Sequence, residues 1–391
     1  MEHTGLIFTF FLIFFGASIF ATVALYTRQA IIVAYIALGM LVGPYGLKFV
    51  QSTEMISEVS DFGIMFLLFL LGLHLQLKSL IEMLNKMVII TVVSSLVFAT
   101  ITIVICYEFG FSFVESLLVG VCMIFSSTII CLKLMPTTAL HHQRIGNIAI
   151  GILLLQDIIA IFMLTVLDLL TTGATEFNWW RLLMMFIALP VLVLIAYYAE
   201  KFILFKLLRK FNRYKEYIFL VAIGWCLGMS QLATTLGISS EIGAFIAGVT
   251  IANSPISQYI SENLKPLRDF FLIIFFFSVG AGFNFPLIID VWQVVLLLTV
   301  IIMIIKPIVY GALFAIFGEK KKTALEIGVR LGQGSEFSLL LGFMAFQASV
   351  LTSQSYTVIQ AVTILTFIIS SYIVVLFYPN PIAIFDRLRR D

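Results

Sequence analysis

Charged residues are scarce in this sequence. Lys, Arg, Asp and Glu together make up 11% of the 391 residues, whereas soluble domains carry about 25%. Hydrophobic residues make up 61%, against about 45–50% in soluble domains. This balance excludes an ordinary soluble protein and predicts a polytopic membrane protein. The first apolar run, from Leu6 to Ala24, follows a short stretch without basic residues, so we expect it to be a spanning helix and not a removed signal.

Cysteine and histidine are equally rare, with four of each. The cysteines stand singly inside apolar runs without C-x-x-C spacing, and the histidines form no ligand pattern, which excludes the common zinc and redox motifs. No G-x-G-x-x-G follows a strand, and no phosphate-binding loop is present. We therefore expect no ATP use and no cofactor in this chain. Nothing in the sequence indicates a nucleic-acid partner.

Long hydrophobic runs dominate what is present. About 20 apolar residues cross the hydrocarbon core of a bilayer, and by that measure the chain contains thirteen segments, some of them short. They cover residues 5–26, 30–43, 61–76, 86–107, 113–135, 143–171, 179–206, 214–236, 240–252, 266–283, 289–317, 322–346 and 355–378. The fold class is therefore all-α, with about thirteen transmembrane helices.

Basic residues orient these segments. Nearly all of the Lys and Arg residues between segments follow odd-numbered segments, and the exceptions are Lys48 and Arg181. Because cytoplasmic loops are enriched in Lys and Arg, we predict an N-terminus outside the cell membrane and a cytoplasmic C-terminus.

The two halves of the chain resemble each other. An offset of 208 residues pairs Gly72 with Gly280 and Ser127 with Ser335, and an offset of 209 pairs segment two with segment nine. A single matched glycine arises easily by chance, but three pairs of segments agree on this offset. Paired segments are seven helices apart, which is an odd number, so the copies are predicted to have inverted topology, as in many secondary transporters. The predicted organisation is a first repeat over 1–178, a linking helix over 179–206, a second repeat over 214–378 and a cytoplasmic tail over 379–391.

Segments five and twelve carry polar clusters at matching depths. Segment five, over about 113–135, contains three adjacent hydroxyl residues, and segment twelve, over about 322–346, contains the sequence GQGSE. Such clusters are sites where a membrane helix unwinds when the freed backbone groups face protein or water. We expect two broken helices that cross near the bilayer centre and present half-helix ends to an ion. The alternative is a pair of continuous helices in which Ser and Thr bond back to the preceding turn.

Asp157 is the most informative single residue, because it interrupts the apolar run ILLLQDIIAIF. An ionised Asp at the centre of a membrane helix costs about 2.5–3.5 kcal/mol on insertion scales, and such residues usually mark ion or proton pathways, although a buried acid kept for packing is the alternative. A carboxylate can bind K+ or Na+, or take a proton, and the two ligands exclude each other. The predicted neighbours, as ligands or helix-bracing groups, are Gln156, Ser126, Ser127 and Thr128.

Further polar residues lie in the other half of the chain. Lys306 is at the centre of an apolar run and precedes Pro307, which marks a kink. An unpaired charge there is costly, so we expect a partner, with Asp157 or Glu336 as candidates, in a structural salt bridge or as a coupling charge. Glu336 is a candidate for anchoring the broken helix, and the other predicted coupling or bracing residues are Gln333 and Ser335.

Several motifs together resemble the monovalent cation:proton antiporter superfamily, and most of all its Kef-type potassium efflux branch. They are LGMLVGPYGL (38–47), LLFLLGLHL (67–75), SSTI (126–129), ILLLQDI (152–158), SSEIGAFIAG (239–248) and LGQGSEFSLLL (331–341).

The resemblance implies a homodimer with a dimerisation domain and a mobile core domain that carries the ion site as an elevator. It also implies that Asp157 alternates between cation and proton. In related antiporters with two adjacent acids, a Lys at the position of Lys306 pairs with the first of them. This chain has Gln156 in place of that first acid, so the resemblance does not carry the pairing over. Kef-type proteins usually continue into a cytoplasmic nucleotide-binding regulatory domain, whereas this sequence stops at Asp391. We expect one of three explanations: the sequence is truncated before that domain, the regulator is a separate polypeptide, or the protein has no regulator.

The sequence thus predicts a secondary antiporter, not an enzyme, that exchanges K+ for protons. A Na+/H+ antiporter of the same fold and a gated K+ channel are the alternatives. A channel predicts a filter with carbonyl rings, and a single intramembrane Asp argues against it. A rival from another class is an intramembrane enzyme such as a protease with an acid pair. The sequence has no second intramembrane Asp on a facing segment, which argues against it.

Overall fold

The computed structural model describes residues 6–50, 54–74, 77–135, 144–171, 179–211, 213–238, 240–252, 254 and 256–380. The predicted tail from residue 381 onward lies outside the described residues. The described residues form helices joined by turns and short irregular segments. In chain order these helices are α1 Leu6–Tyr26, α2 Ile31–Val42, α3 Glu54–His74, α4 Leu77–Glu108, α5 Phe113–Cys122, α6 Thr128–Lys133, α7 Arg144–Thr171, α8 Trp179–Ala199, a π-helical turn Glu200–Leu204, α9 Phe205–Lys210, α10 Lys215–Thr235, α11 Ser240–Ala252, α12 Ser257–Ala281, α13 Phe285–Ile316, α14 Lys321–Arg330, α15 Glu336–Gln347 and α16 Ser353–Phe377.

Hydropathy agrees with this helical architecture. Six helices in the described part of the chain are long and apolar enough to cross a membrane. Two of the shorter apolar helices, α5 and α15, belong to segments that the structure divides in two. The prediction of an all-α polytopic protein is confirmed.

Both predicted breaks are present. Segment five is helical as α5 up to Cys122 and again as α6 from Thr128. Segment twelve is helical as α14 up to Arg330 and again as α15 from Glu336. The alternative of two continuous helices is therefore wrong. We call the residues between α5 and α6 the first break, and those between α14 and α15 the second break.

Helix boundaries recur along the chain with the offset found in the sequence. Helices α4 and α13 each have 32 residues and begin 208 positions apart. The ten-residue helices α5 and α14 also begin 208 positions apart, and the 21-residue helices α1 and α10 begin 209 apart. The second half-helices α6 and α15 begin 208 positions apart as well. The inverted orientation of the two copies stays a prediction.

Two glycines make equivalent close contacts in the two copies. A Cβ atom on Gly72 would collide with the carbonyl oxygen of Phe245, and a Cβ atom on Gly280 would collide with that of Ile36. Small residues at such positions let the backbones of membrane helices approach closely. Because Ile36 and Phe245 are themselves 209 positions apart, the repeat extends to helix packing.

The chain forms two compact units. The first contains residues 1–51, 82–163 and 279–391, and within it α13 packs against α14 and α16. The second contains residues 52–81 and 164–278, and within it α11 packs against α3 and α10. Each unit draws helices from both predicted repeats. Both breaks lie in the first unit.

Glu115 joins two helix N-termini in the first unit. Its Oε2 atom accepts hydrogen bonds from the amide and hydroxyl of Ser112, at 3.1 and 2.8 Å, which closes a capping box on α5. Its Oε1 atom accepts from the hydroxyls of Thr352 and Ser355 at 2.6 and 2.7 Å, at the start of α16. A carboxylate at an N-terminus is favourable both as a hydrogen-bond acceptor and towards the helix dipole.

Replacing Glu115 with alanine is expected to lower the free energy of unfolding by about 2 kcal/mol, because two helices lose a capping partner at once. Unfolding of the purified protein in detergent, followed by tryptophan fluorescence, measures this change. Glu108→Ala is the matched control, since Glu108 is an exposed acid at the end of α4. Equal stabilities of the two variants would show that the Glu115 contacts contribute nothing.

Candidate functional site

The two breaks contact each other directly. The Ser126 hydroxyl of the first break donates to the carbonyl of Leu331 in the second, at 2.8 Å. In return the Gln333 side-chain amide of the second break donates to the carbonyl of Ser127 at 3.3 Å. The Ser338 hydroxyl in α15 donates to the last carbonyl of α5, that of Cys122. These reciprocal bonds hold the two breaks together.

Amide groups that the breaks remove from helical hydrogen bonds find side-chain partners. The amide of Ser126 donates to Gln156 Oε1 at 3.0 Å, and that of Gly334 donates to Thr366 Oγ1 at 3.0 Å. Each second half-helix also begins with a serine cap, since the Ser127 hydroxyl accepts from Ile130 and that of Ser335 accepts from Phe337, both at 3.1 Å. Irregular backbone at membrane depth requires such partners because lipid supplies none.

Gln156 braces the first break with both ends of its amide. Besides accepting from Ser126, it donates from Nε2 to the carbonyl of Ile124 at 3.2 Å and to the Tyr310 hydroxyl at 2.7 Å. Gln156 is 1% exposed and Tyr310 is fully buried. Sequence reasoning missed Tyr310, although a hydroxyl one helical turn after Lys306 in an apolar helix was an available signal.

Lys306 bridges the carbonyl groups of the two breaks. Its Nζ atom donates to the carbonyl of Phe125 at 2.6 Å and to that of Gln333 at 3.0 Å. It also lies 5.5 Å from the centre of the Phe98 ring. Among the described residues it forms no salt bridge with Asp157 or Glu336, so the predicted acidic partner is wrong. Two main-chain carbonyls, one in each break, take the place of the expected carboxylate.

Asp157 lies in α7 beside Gln156 and is 1% exposed. Its Oδ2 atom has no hydrogen-bond partner within the described part of the chain. The hydroxyls of Ser126, Ser127 and Thr128, predicted as its neighbours, bond to other groups in the described structure. An ionised carboxylate is costly in such a position unless a cation or proton joins it.

Glu336 is the second buried carboxyl group. It is 2% exposed, and its Oε1 atom accepts from the Thr128 hydroxyl across the two breaks. Its Oε2 atom has no partner among the described groups. Glu336 and Asp157 are near enough to repel each other when both carboxyl groups are ionised. The structure thus brings two acids, each with one available oxygen, to the breaks.

Arg330 is a further buried charge that sequence reasoning missed. It ends α14 at 2% exposure, pairs with Glu326 at 2.9 Å, and donates to the carbonyls of Leu134 and Pro379 at 2.9 and 2.7 Å. The arginine thereby holds the end of α6 next to the chain that follows α16. Its position in the apolar sequence GVRLGQG was the available signal.

The sequence of this chain matches a family of known proteins. The family profile described as the transmembrane sodium/hydrogen exchanger matches residues 5–377. The chain belongs to the sodium/hydrogen exchanger family. This assignment confirms the resemblance noted from the motifs, and the matched range includes every residue of the site.

Two similar curated proteins extend the comparison. It is 28% identical over 357 residues to K(+) efflux antiporter 4 of Arabidopsis thaliana, covering 87% of this chain and 58% of that protein. It is 25% identical over 351 residues to the iron transporter MagA of Paramagnetospirillum magneticum, covering 88% of this chain and 79% of that protein. The chain therefore spans little more than half of the plant antiporter.

A solved structure shows the same fold. The sodium proton antiporter MjNhaP1 from Methanocaldococcus jannaschii superposes with a TM-score of 0.71 at 16% identity, covering 92% of this chain and 93% of the antiporter chain. At this identity the likeness concerns the fold alone, and it confirms the predicted sodium/proton antiporter-like architecture.

Proposed function

We propose that this chain exchanges K+ for protons across the membrane, with Asp157 binding the cation and the proton in turn. The observation that carries the proposal is the buried Asp157 carboxyl group, whose Oδ2 atom has no partner among the described groups and whose neighbour Gln156 bonds to the first break. Na+ is the alternative cation. The name of the plant relative, K(+) efflux antiporter 4, supports K+.

The distribution of charge around the breaks supports this division of roles. Lys306 is bound to the carbonyls of Phe125 and Gln333, which lie three residues past the ends of α5 and α14, and its positive charge is therefore near the negative ends of these helices. Its charge is therefore committed to the protein backbone. Asp157 then has no fixed cation among the described groups, and an alkali cation or a proton can neutralise it. Because one carboxylate cannot hold both, loading one ligand releases the other.

The donor set favours a monovalent cation over iron, which the name of MagA suggests as a substrate. Iron sites in proteins use several imidazole, thiolate or carboxylate ligands. In the described ranges no group of three or more His, Cys, Asp or Glu residues is placed to hold a metal ion. One or two carboxylates with hydroxyl and carbonyl oxygens suit K+ or Na+.

The proposal also specifies the oligomeric state, the membrane orientation and the movement that transports the ions. The chain acts as a homodimer in the cell membrane, with its N-terminus outside and its C-terminus in the cytoplasm, where a nucleotide-binding domain or subunit regulates it. The core that holds both breaks moves across the bilayer as an elevator. Ion gradients drive the exchange, and the chain uses no cofactor.

Proteoliposomes that contain a pH-sensitive dye test the proposal. A pulse of external K+ is expected to move protons out of the lumen, with Na+ weaker and Li+ weakest, and the response should remain when a lipid-permeant anion, present at equal concentration on both sides, dissipates the membrane potential. Empty liposomes are the control. K+ flux without proton movement would instead show a channel, and neither flux would contradict the proposed exchange.

A further inference from the structure

Tyr310 connects α13 to the first break through its phenol oxygen. The side chain is fully buried, and its hydroxyl accepts a hydrogen bond from Gln156 Nε2 at 2.7 Å. The hydroxyls of Ser94 in α4 and Ser126 in the first break also face it closely enough to hydrogen-bond. A phenol both accepts and donates, so the proton of Tyr310 is available to a serine oxygen while its lone pair holds Gln156.

Ser126, Gln156 and Tyr310 form a hydrogen-bonded triangle. The Ser126 amide donates to Gln156 Oε1 at 3.0 Å, Gln156 donates to Tyr310, and the Tyr310 hydroxyl faces Ser126 again. The Ser126 hydroxyl also donates to the carbonyl of Leu331, which ties the triangle to the second break. Turning the Gln156 amide over would place its NH2 group against the Ser126 amide and its oxygen against the carbonyl of Ile124. The contacts therefore permit one orientation of this amide.

Helix α13 holds two consecutive residues of the first break. Lys306, one helical turn before Tyr310, binds the carbonyl of Phe125, which precedes Ser126. Phe98 of α4 packs behind both side chains, with its ring centre 5.4 Å from that of Tyr310 and 5.5 Å from Lys306 Nζ. Because buried side chains are close-packed, the position of the Tyr310 hydroxyl is fixed by its ring.

The triangle has a consequence for ion size. Both ends of the Gln156 amide are bonded to the protein, and Gln156 directly precedes Asp157 in α7. A site whose surrounding groups are held in place favours the ion that fits it, whereas a smaller ion binds well only if those groups move inwards. Bonds that hold the first break against Gln156 oppose such a movement towards the Asp157 carboxylate.

We propose that Tyr310 is a positioning residue that sets the preference for K+ over Na+. Its hydroxyl keeps Gln156 and Ser126 in place, so the first break does not close around the smaller ion at Asp157. The inference rests on the proposed exchange at Asp157, and Tyr310 itself binds no ion. Phenylalanine at this position keeps the packing against Phe98 and removes only the oxygen that completes the triangle.

Calorimetric titration of purified Tyr310→Phe with K+ and with Na+, at a fixed alkaline pH, tests the inference. The ratio of the Na+ Kd to the K+ Kd should fall about tenfold, which is the size of one hydrogen bond. The pH dependence of the K+ Kd should be unchanged, because Asp157 is intact. Tyr356→Phe is the matched control, since it removes the hydroxyl of a buried tyrosine in α16 that stacks on Phe346, and it should leave the ratio unchanged.

Gln156→Leu opens the triangle from the other side and should lower the ratio by a similar factor. Adding Tyr310→Phe to it should change the ratio no further, because residues that act as one unit are not additive. An unchanged ratio in a Tyr310→Phe protein that binds K+ would overturn the inference alone, as would independent effects of the two substitutions or a lowered Tm without a change in ratio. Wild-type protein that binds neither cation would contradict the proposed exchange and the inference with it.

Discussion

Lys306→Met is expected to lower the free energy of unfolding by about 4 kcal/mol and to abolish exchange. Lys306 is fully buried, and its ammonium group donates to one carbonyl in each break. Methionine fills a similar volume but donates nothing, so the carbonyls of Phe125 and Gln333 lose a charged donor inside the protein. Each lost bond to a charged group costs about 1.5–3 kcal/mol, and Lys306 makes two such bonds.

Thermal and denaturant unfolding in detergent measure the loss, and two further variants define its origin. Lys322→Met changes an exposed lysine and should leave stability unchanged. Lys306→Gln keeps a donor and should recover part of the stability. A folded Lys306→Gln protein should also exchange with unchanged stoichiometry, because the proposed proton carrier is Asp157 and not Lys306. Full stability of Lys306→Met would contradict the bridging role.

The positions of the two breaks and of the buried acid follow from local sequence. Asp157 is conspicuous because a charged residue within the apolar run ILLLQDIIAIF is energetically costly, and such residues usually mark ion or proton pathways. The breaks follow from hydroxyl and glycine clusters at matching depths in two similar segments. These signals are local, and the repeat gives the breaks, but not Asp157, a second occurrence in the chain.

The partner of Lys306 could not be predicted in the same way. Its contact with Phe125 joins residues 181 positions apart and uses a main-chain carbonyl, which every residue possesses. No side-chain pattern distinguishes one carbonyl from another, so sequence reasoning turned to the nearest acids. The contacts of Arg330 with Leu134 and Pro379 escaped prediction for the same reason.

The predicted starts of three helices differ from the observed starts for a different reason. The prediction began segments three, four and ten at residues 61, 86 and 266, whereas α3, α4 and α12 begin at Glu54, Leu77 and Ser257. Each helix extends beyond its apolar run through a more polar first part. Hydropathy finds the part of a helix that suits hydrocarbon, and hydrogen bonding in the backbone continues past it.

Competition between cation and proton at Asp157 is the central claim, and cation affinity measured against pH tests it most directly. Isothermal titration of the purified protein with K+ should give a Kd that rises about tenfold for each unit of falling pH once protonation dominates, since each bound proton excludes one cation. Asp157→Asn should stay folded and bind no cation at any pH. Glu336→Gln, which removes the other buried carboxylate, should keep the pH-dependent affinity. An affinity independent of pH, or K+ binding that survives in Asp157→Asn, would contradict the account.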